Sequence, residues 1–245
     1  MLISISSYNT FATTILVSER ASTVPSGYGG FLWTNMTSTL DAAAGGSANI
    51  DVVLNFENFS QMSLYDAIWL DIRDTSDSLS NTEITNIINY IATGKRAVLM
   101  GEDASWINWD KQLIEDTLGG ALSVSTTSGD PLSPIITHEL TQKVGGVLSV
   151  KPQGGGIVAL GGTQLFTENF ATLWGSNVLT ILDTALLGDI FWSSEDNSIF
   201  ASNVANWIAA EPIPEPTTIA LLTIGIIGLS IVAARRKWDV LTRIP

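Results

Sequence analysis

The most constraining feature of this chain is at its C-terminal end. Thr217 to Ala234 is an uncharged run of 18 residues, preceded by Pro214-Glu215-Pro216 and followed by Arg235-Arg236-Lys237. The two prolines fix φ and remove backbone donors, so no helix continues across them and a new element starts afterwards. At about 1.5 Å rise per residue the run makes a helix of roughly 27 Å, enough to cross a bilayer core of about 30 Å. Lys and Arg accumulate on the cytoplasmic side of spanning helices. The reading is a single membrane span over 217–234, with the residues before it outside the cytoplasm and a basic cytoplasmic tail over 235–245.

Pro214, Glu215, Pro216, the apolar run to Ala234, and Arg235, Arg236 and Lys237, in that order at a C-terminus, resemble the PEP-CTERM sorting signal of bacterial surface proteins. The resemblance implies export, recognition by an exosortase-type membrane protease, cleavage near the Pro-Glu-Pro linker (211–216), and release to the cell surface or extracellular matrix. Trp238 to Pro245 extend past the point where such tails usually stop, and Trp238 is a natural interfacial residue. The bland alternative is an ordinary C-terminal anchor.

Residues 1–210 are long enough for one domain with a real core. They carry seven Lys or Arg against 21 Asp or Glu, a balance of −14 within a chain of net charge −13. Phosphates would repel such a surface, so nucleic acid is excluded as a partner. The chain has no cysteine, which removes disulfides, thiolate catalysis and Cys-ligated metals. Met1 to Ala12 has no basic n-region and only a broken apolar run. No proper signal peptide is legible there, and the expectation is that the true start lies upstream, the alternative being export by another signal.

Short apolar and β-branched runs alternate with helical patterns. Thr13–Ser18, Ile50–Leu54, Asp66–Ile72, Arg96–Gly101 and Asn177–Asp183 read as strands. Phe31–Ala44, closed by Gly45-Gly46, Trp106–Leu118, closed by Gly119-Gly120, and Ile199–Ala209 read as helices, the last with Phe200, Val204 and Trp207 on one side. Between Asp66–Ile72 and Arg96–Gly101 the pattern is clearest. Ser80 and Glu83 form a capping box, Ile84, Ile87, Ile88 and Ile91 recur at helical spacing, and Gly94 ends the helix. Strand, helix and strand in this order make a parallel βαβ unit. The expected fold is α/β, a doubly wound, mainly parallel sheet. Ala121 to Gly162, rich in Gly, Ser, Thr and Pro, reads as a meander or insertion beside it, with β-prone runs at 147–150 and 156–160.

Several quoted segments are similar to the class I glutamine amidotransferase-like group of flavodoxin-like folds, above all its non-catalytic relatives in bacterial surface proteins. They are Tyr65-Asp66-Ala67-Ile68-Trp69-Leu70, Gly94 to Gly101, and His138-Glu139-Leu140-Thr141, where relatives have a His-Pro-Leu-Thr turn. Asp183, Asp196-Asn197, Phe200, Asn203 and Trp207 match a closing strand–loop–helix pattern. In active members the turn after the Arg96–Gly101 strand presents a cysteine on a strained elbow. Here it reads Gly101-Glu102-Asp103-Ala104-Ser105, without cysteine and without a Gly-x-Ser-x-Gly elbow. His138, the sole histidine, reads as a turn residue rather than a base.

Asp71, Asp74 and Asp77 follow one strand, and Glu102 and Asp103 follow its neighbour. They share the carboxyl edge, where open α/β sheets bind ligands. Ca²⁺ takes such ligands, although no EF-hand spacing is present. The plainer reading is loop solubilisers and helix-entry charges. Asp196-Asn197 read as a turn that caps the final helix through its side chains. The eight tryptophans read as packing residues, with Trp106 and Trp109 the pair closest to the acidic edge. Gly154-Gly155-Gly156 and Gly161-Gly162 lack a phosphate-loop context and read as flexible turns.

The sequence therefore points to a non-enzymatic, exported ectodomain without cofactor or metal, anchored in the membrane through 217–234. Its partners would be an exosortase-type protease and extracellular polysaccharide. An extracellular hydrolase and a Ca²⁺-dependent adhesin using the carboxyl-edge acids are the alternatives.

Overall fold

Unbroken burial marks the centre of the sheet. Ile15–Ser18 (β1), Ala67–Leu70 (β3), Arg96–Met100 (β4) and Val178–Ile181 (β11) are buried along their whole length, as strands covered on both faces must be. The computed structural model describes residues 12–18 and 27–210. The expected span 217–234 and the sorting residues Pro214, Glu215, Pro216, Arg235, Arg236 and Lys237 lie outside the described residues. The chain divides between Glu211 and Pro212, and the sheet belongs to the first of the two units.

β1 pairs in parallel with Ile50–Val53 (β2) on one side and with β3 on the other. β3 pairs in parallel with β4, and β4 in parallel with β11. Two antiparallel strands, Ala171–Trp174 (β10) and Thr163–Gln164 (β9), complete the far edge. The order is β2-β1-β3-β4-β11-β10-β9. Its parallel part runs 2-1-3-4-5 when β11 is counted as the fifth strand, the order of doubly wound sheets of the flavodoxin type. The antiparallel β10 was not legible as a strand: its four residues sit beside the tight turn at Gly175, and a run so short gives no period.

Because side chains alternate along a strand, each central strand feeds two cores. Ala67 and Trp69 of β3, with Val98 and Met100 of β4, meet Met36 and Leu40 from Thr34–Ala43 (α1) and Phe200 and Val204 from Asn197–Ala209 (α5). Ile68, Leu70, Ala97 and Leu99 meet Ile87 and Tyr90 from Asn81–Ile91 (α3) and Trp109 from Ile107–Lys111 (α4). A single turn, Phe59–Met62 (α2), adds Met62 to this second core.

The βαβ unit forms as the sequence predicts, with the Ser80–Glu83 capping box intact and Gly94 at φ +81° closing the helix. The inward face of α3 differs from the expectation. Glu83, Asn86, Ile87 and Tyr90 are buried, Ile84 and Ile91 pack at its margin, and Ile88 is 41% exposed. Polar anchoring turns the helix. The Asn86 side chain donates to the Phe56 carbonyl at 2.8 Å, and Glu83 Oε1 accepts from Phe56 N–H at 3.1 Å.

Glu83 also holds Arg73, which follows β3. The two form a bidentate pair at 2.6 and 3.2 Å, each with only 3% of its side chain exposed. Burial opposes ionisation of Glu83, but Arg73 and the N–H groups of Ser80 and Phe56 outweigh it and hold the carboxyl below its usual value.

Trp106–Leu118 is helical throughout but not uniform. A 3₁₀ turn at Ala104–Trp106 leads into α4, and a π-helical turn at Gln112–Thr117 ends at Gly119, φ +68°. The insertion forms its own small sheets. Ala121–Thr126 (β5) pairs antiparallel with Ile157–Leu160 (β8), and Gln142–Lys143 (β6) with Gly146–Val147 (β7). Gly161-Gly162 are not free turns. A Cβ on Gly162 would lie 3.0 Å from the Trp174 ring and 2.4 Å from Thr172 Cγ2.

Removing one partner of a buried ion pair strands the other charge. Glu83→Ala should lower the unfolding free energy by about 3–5 kcal/mol, measured by urea denaturation, with the loss far exceeding that of a lone helix cap.

Candidate functional site

The carboxyl edge is where this topology places ligands, at the crevice flanking the switch in strand order between β1 and β3. Here Asp71 Oδ2 accepts from Tyr28 N–H at 2.7 Å and Oδ1 accepts from Trp69 Nε1–H at 2.6 Å. Arg73 reaches across to Ser18 Oγ at the end of β1, 3.0 Å away, while gripping Glu83. Trp106 Nε1–H donates to the Arg73 carbonyl at 2.7 Å, and the Arg73 guanidinium lies 5.5 Å from the centroid of the Trp109 ring. The two tryptophans singled out in the sequence are thus wall material, and the strand ends are tied to each other.

The five carboxylates expected at this edge do not converge. Asp71 is fully buried and engaged as above, whereas Asp74 is half-buried and folded onto its own loop. It accepts from Ser76 N–H at 3.2 Å and from the Ser76 hydroxyl, which hold its pKa below the usual value. Asp103 receives Ser105 N–H at 2.7 Å and starts the helical turn. Among the described residues no group of three or more His, Asp or Glu is placed to hold a metal ion.

A different acidic group assembles between β4 and β11. Glu102 follows β4, Asp183 follows β11, and Asp110 reaches back from α4. Asp110 Oδ1 accepts from Glu102 N–H at 3.1 Å, and Glu102 Oε2 accepts from the N–H and hydroxyl of Thr184. Asp183 Oδ2 receives Gln153 N–H at 3.0 Å. Asp110 Oδ2 and Asp183 Oδ1 are buried with no hydrogen-bond partner among the described residues. Burial, and then the charge of Asp183, push Glu102 up to about 8. Burial, with Asp103 nearby, pushes Asp110 up to about 8, and burial raises Asp183 to about 6. Near neutrality Glu102 and Asp110 are thus held largely protonated, the form in which a buried acid is least costly, whereas Asp183 is largely ionised.

Gly101 makes this arrangement possible. A Cβ there would fall 2.2 Å from Asp110 Oδ1 and 2.5 Å from Leu182 Cδ2. The turn is not a strained elbow, since Glu195 is the one non-glycine residue with positive φ among the described residues. Asp110 carries a sequence signal that was missed. It is adjacent to Trp109 and three residues before Leu113, on the inward stripe of the helix.

The remaining candidates are structural. His138 Nδ1 accepts from Leu140 N–H at 3.2 Å, closing the turn as expected, and burial lowers its pKa. Asp196-Asn197 stand at the start of α5 but do not cap it. Asp196 instead pairs with Lys143 at 2.5 Å and accepts from Ser149 N–H. Asn197 bonds Lys151 N–H and the carbonyls of Lys151 and Phe191. Both side chains are spent on fastening the insertion to the helix, which local sequence does not reveal.

The decisive likeness lies beyond this domain. Residues 212–237 match the PEP-CTERM protein-sorting motif. The PEP-CTERM match starts at the unit boundary and covers every sorting residue named from the sequence. It supports an exported protein that carries an exosortase-type sorting signal. No curated protein matches this sequence. Among solved structures the chain is similar to the mmIFT52 N-terminal domain, at 11% identity and TM-score 0.62, covering 82% of this chain and 100% of that one. It is also similar to a putative GMP synthase subunit from Thermoplasma acidophilum, at 11% identity and TM-score 0.50, covering 81% and 93%. At these identities the likeness shows the fold alone. Among the described residues no helix is long and apolar enough to cross a membrane.

The buried acids fix a pH dependence. In the unfolded chain they ionise near 3.8 (Asp) and 4.5 (Glu), and in the folded chain only near 6 to 8. Between those values the folded state binds more protons, so stability falls as pH rises. The melting temperature should be highest at about pH 4–5 and decline towards pH 8. Asp110→Asn, which keeps the acceptor for Glu102 N–H, should flatten that decline in a thermal-unfolding series.

Proposed function

We propose that this is an exported bacterial surface or matrix protein with a non-enzymatic, acidic α/β ectodomain that is tethered by 217–234 and then processed. The observation that carries the reading is the PEP-CTERM match at 212–237, beginning where the folded unit ends. In this reading an exosortase-type membrane protease recognises Pro214, Glu215 and Pro216. The apolar run holds the chain in the membrane during recognition, and Arg235, Arg236 and Lys237 stop transfer on the cytoplasmic side. The released domain resides at the cell surface or among extracellular polysaccharide.

Three features support a binding or structural role for the ectodomain over catalysis. The cysteine that amidotransferase-like enzymes use is absent, and the corresponding turn carries Glu102. The sole histidine is occupied in its own turn. The carboxyl-edge acids hold backbone N–H groups rather than a shared open space. On this view the domain is a non-catalytic relative of the amidotransferase-like fold.

The C-terminal mass of the protein, recovered separately from medium and membranes, tests the reading. A released form ending near Pro214 to Thr217 is expected, and Glu215→Ala should leave an intact chain in the membrane fraction. A wild-type chain ending at Pro245 in both fractions would overturn processing.

A further inference from the structure

α1 and α5 lie side by side, and the surface between them has an unusual composition. A groove of about 440 Å³ is lined by Asn35, Ser38 and Thr39 of α1, Ser202 and Asn206 of α5, and Trp192, with Ala42 and Ala43 lining the rest. Among the described residues no ionisable side chain lines it, in a domain whose balance is −14. Ser, Thr and Asn are weak helix formers, and solvent-facing helix positions are ordinarily filled by Ala, Glu, Lys or Gln. Neither helix gains stability from this choice.

The polar atoms are also poised in one sense. The hydroxyls of Ser38, Thr39 and Ser202 donate to the carbonyls one turn back, at 3.0, 2.7 and 2.8 Å, which leaves their lone pairs as acceptors. The side-chain amides of Asn35 and Asn206 have no hydrogen-bond partner among the described residues, so each offers a donor pair and an acceptor. Trp192 is half-buried against the core and brings an aromatic surface to the groove. The N-terminus of α1 is not an anion site, because Asp189 already accepts from Thr34 and Asn35 N–H, both at 3.0 Å.

A ligand matching this surface is uncharged, rich in hydroxyls that donate and accept, and apolar on one face. We propose that the α1–α5 groove binds a neutral polysaccharide, with a sugar ring resting on Trp192 and its hydroxyls bonded by Asn35 and Asn206. The proposal rests on the reading of this domain as an extracellular one, and it names the surface that would retain it in a matrix. The groove is on the opposite face of the sheet from α3 and α4, and it uses none of the carboxyl-edge acids.

Native affinity electrophoresis of the full chain in gels containing dextran, soluble starch or galactomannan tests this, with polyanionic alginate as the control. Retardation should rise with concentration of at least one neutral polymer and be absent in alginate. Asn35→Ala with Asn206→Ala should weaken it about tenfold, roughly 1.4 kcal/mol, and Trp192→Ala should abolish it. The double substitution places better helix formers at exposed positions, so folding is preserved even if Trp192→Ala destabilises the core. No retardation in any neutral polymer, retardation in alginate alone, or equal retardation of wild type and the double variant would each overturn the proposal. The C-terminal mass of the same sample reports separately on sorting, so failure of the groove and failure of export are told apart.

Discussion

Much of this fold hangs on one buried ion pair. Arg73 and Glu83 join the end of β3 to the first turn of α3, and each makes further bonds that no apolar pair would make. Arg73 reaches Ser18 at the end of β1 and lies against Trp109 of α4, while Glu83 takes the N–H groups of Phe56 and Ser80. Five segments are thereby registered at one end of the sheet. Apolar contacts fill space but tolerate sliding, whereas a bidentate pair has one geometry. A buried pair is not by itself a source of stability. Its consequence here is position: it decides which face of α3 looks inward, and it ties together the strand ends at the crevice where such sheets usually hold ligands.

The other half of the carboxyl edge is organised by different physics. Glu102, Asp110 and Asp183 have no cation among them in the described residues, and burial raises all three pKa values, enough for Glu102 and Asp110 to keep their protons near neutrality. One edge thus contains a fully charged, compensated pair and an acidic group in which two of three members are largely neutral. A polar, open surface lies elsewhere, on the exposed flank of α1 and α5.

Legibility followed the range of the interactions. β1, β3, β4, β11 and α5 could be read because burial on both faces, or a sustained apolar side, leaves a local pattern. The capping box at Ser80 could be read because all its atoms lie within four residues. The inward turn of α3 could not, since it depends on Phe56 and Arg73. Asp196 and Asn197 looked like caps because caps are the local use of such residues, but all their side-chain partners except Phe191 are 46 to 53 residues away. Asp110 was overlooked although its helical position points inward, because a carboxylate on an apolar stripe goes against the binary pattern until its protonation is considered.

The sequence by itself determined the order of elements, the parallel βαβ centre, the absence of thiol chemistry and the sorting signal. Each of these resides in composition or in short, contiguous runs. Tertiary structure alone decided which acids meet, which are protonated, which glycines must stay bare, and which helix faces are left without partners. Those outcomes depend on distance and dielectric between residues far apart in the chain, and no local pattern records either.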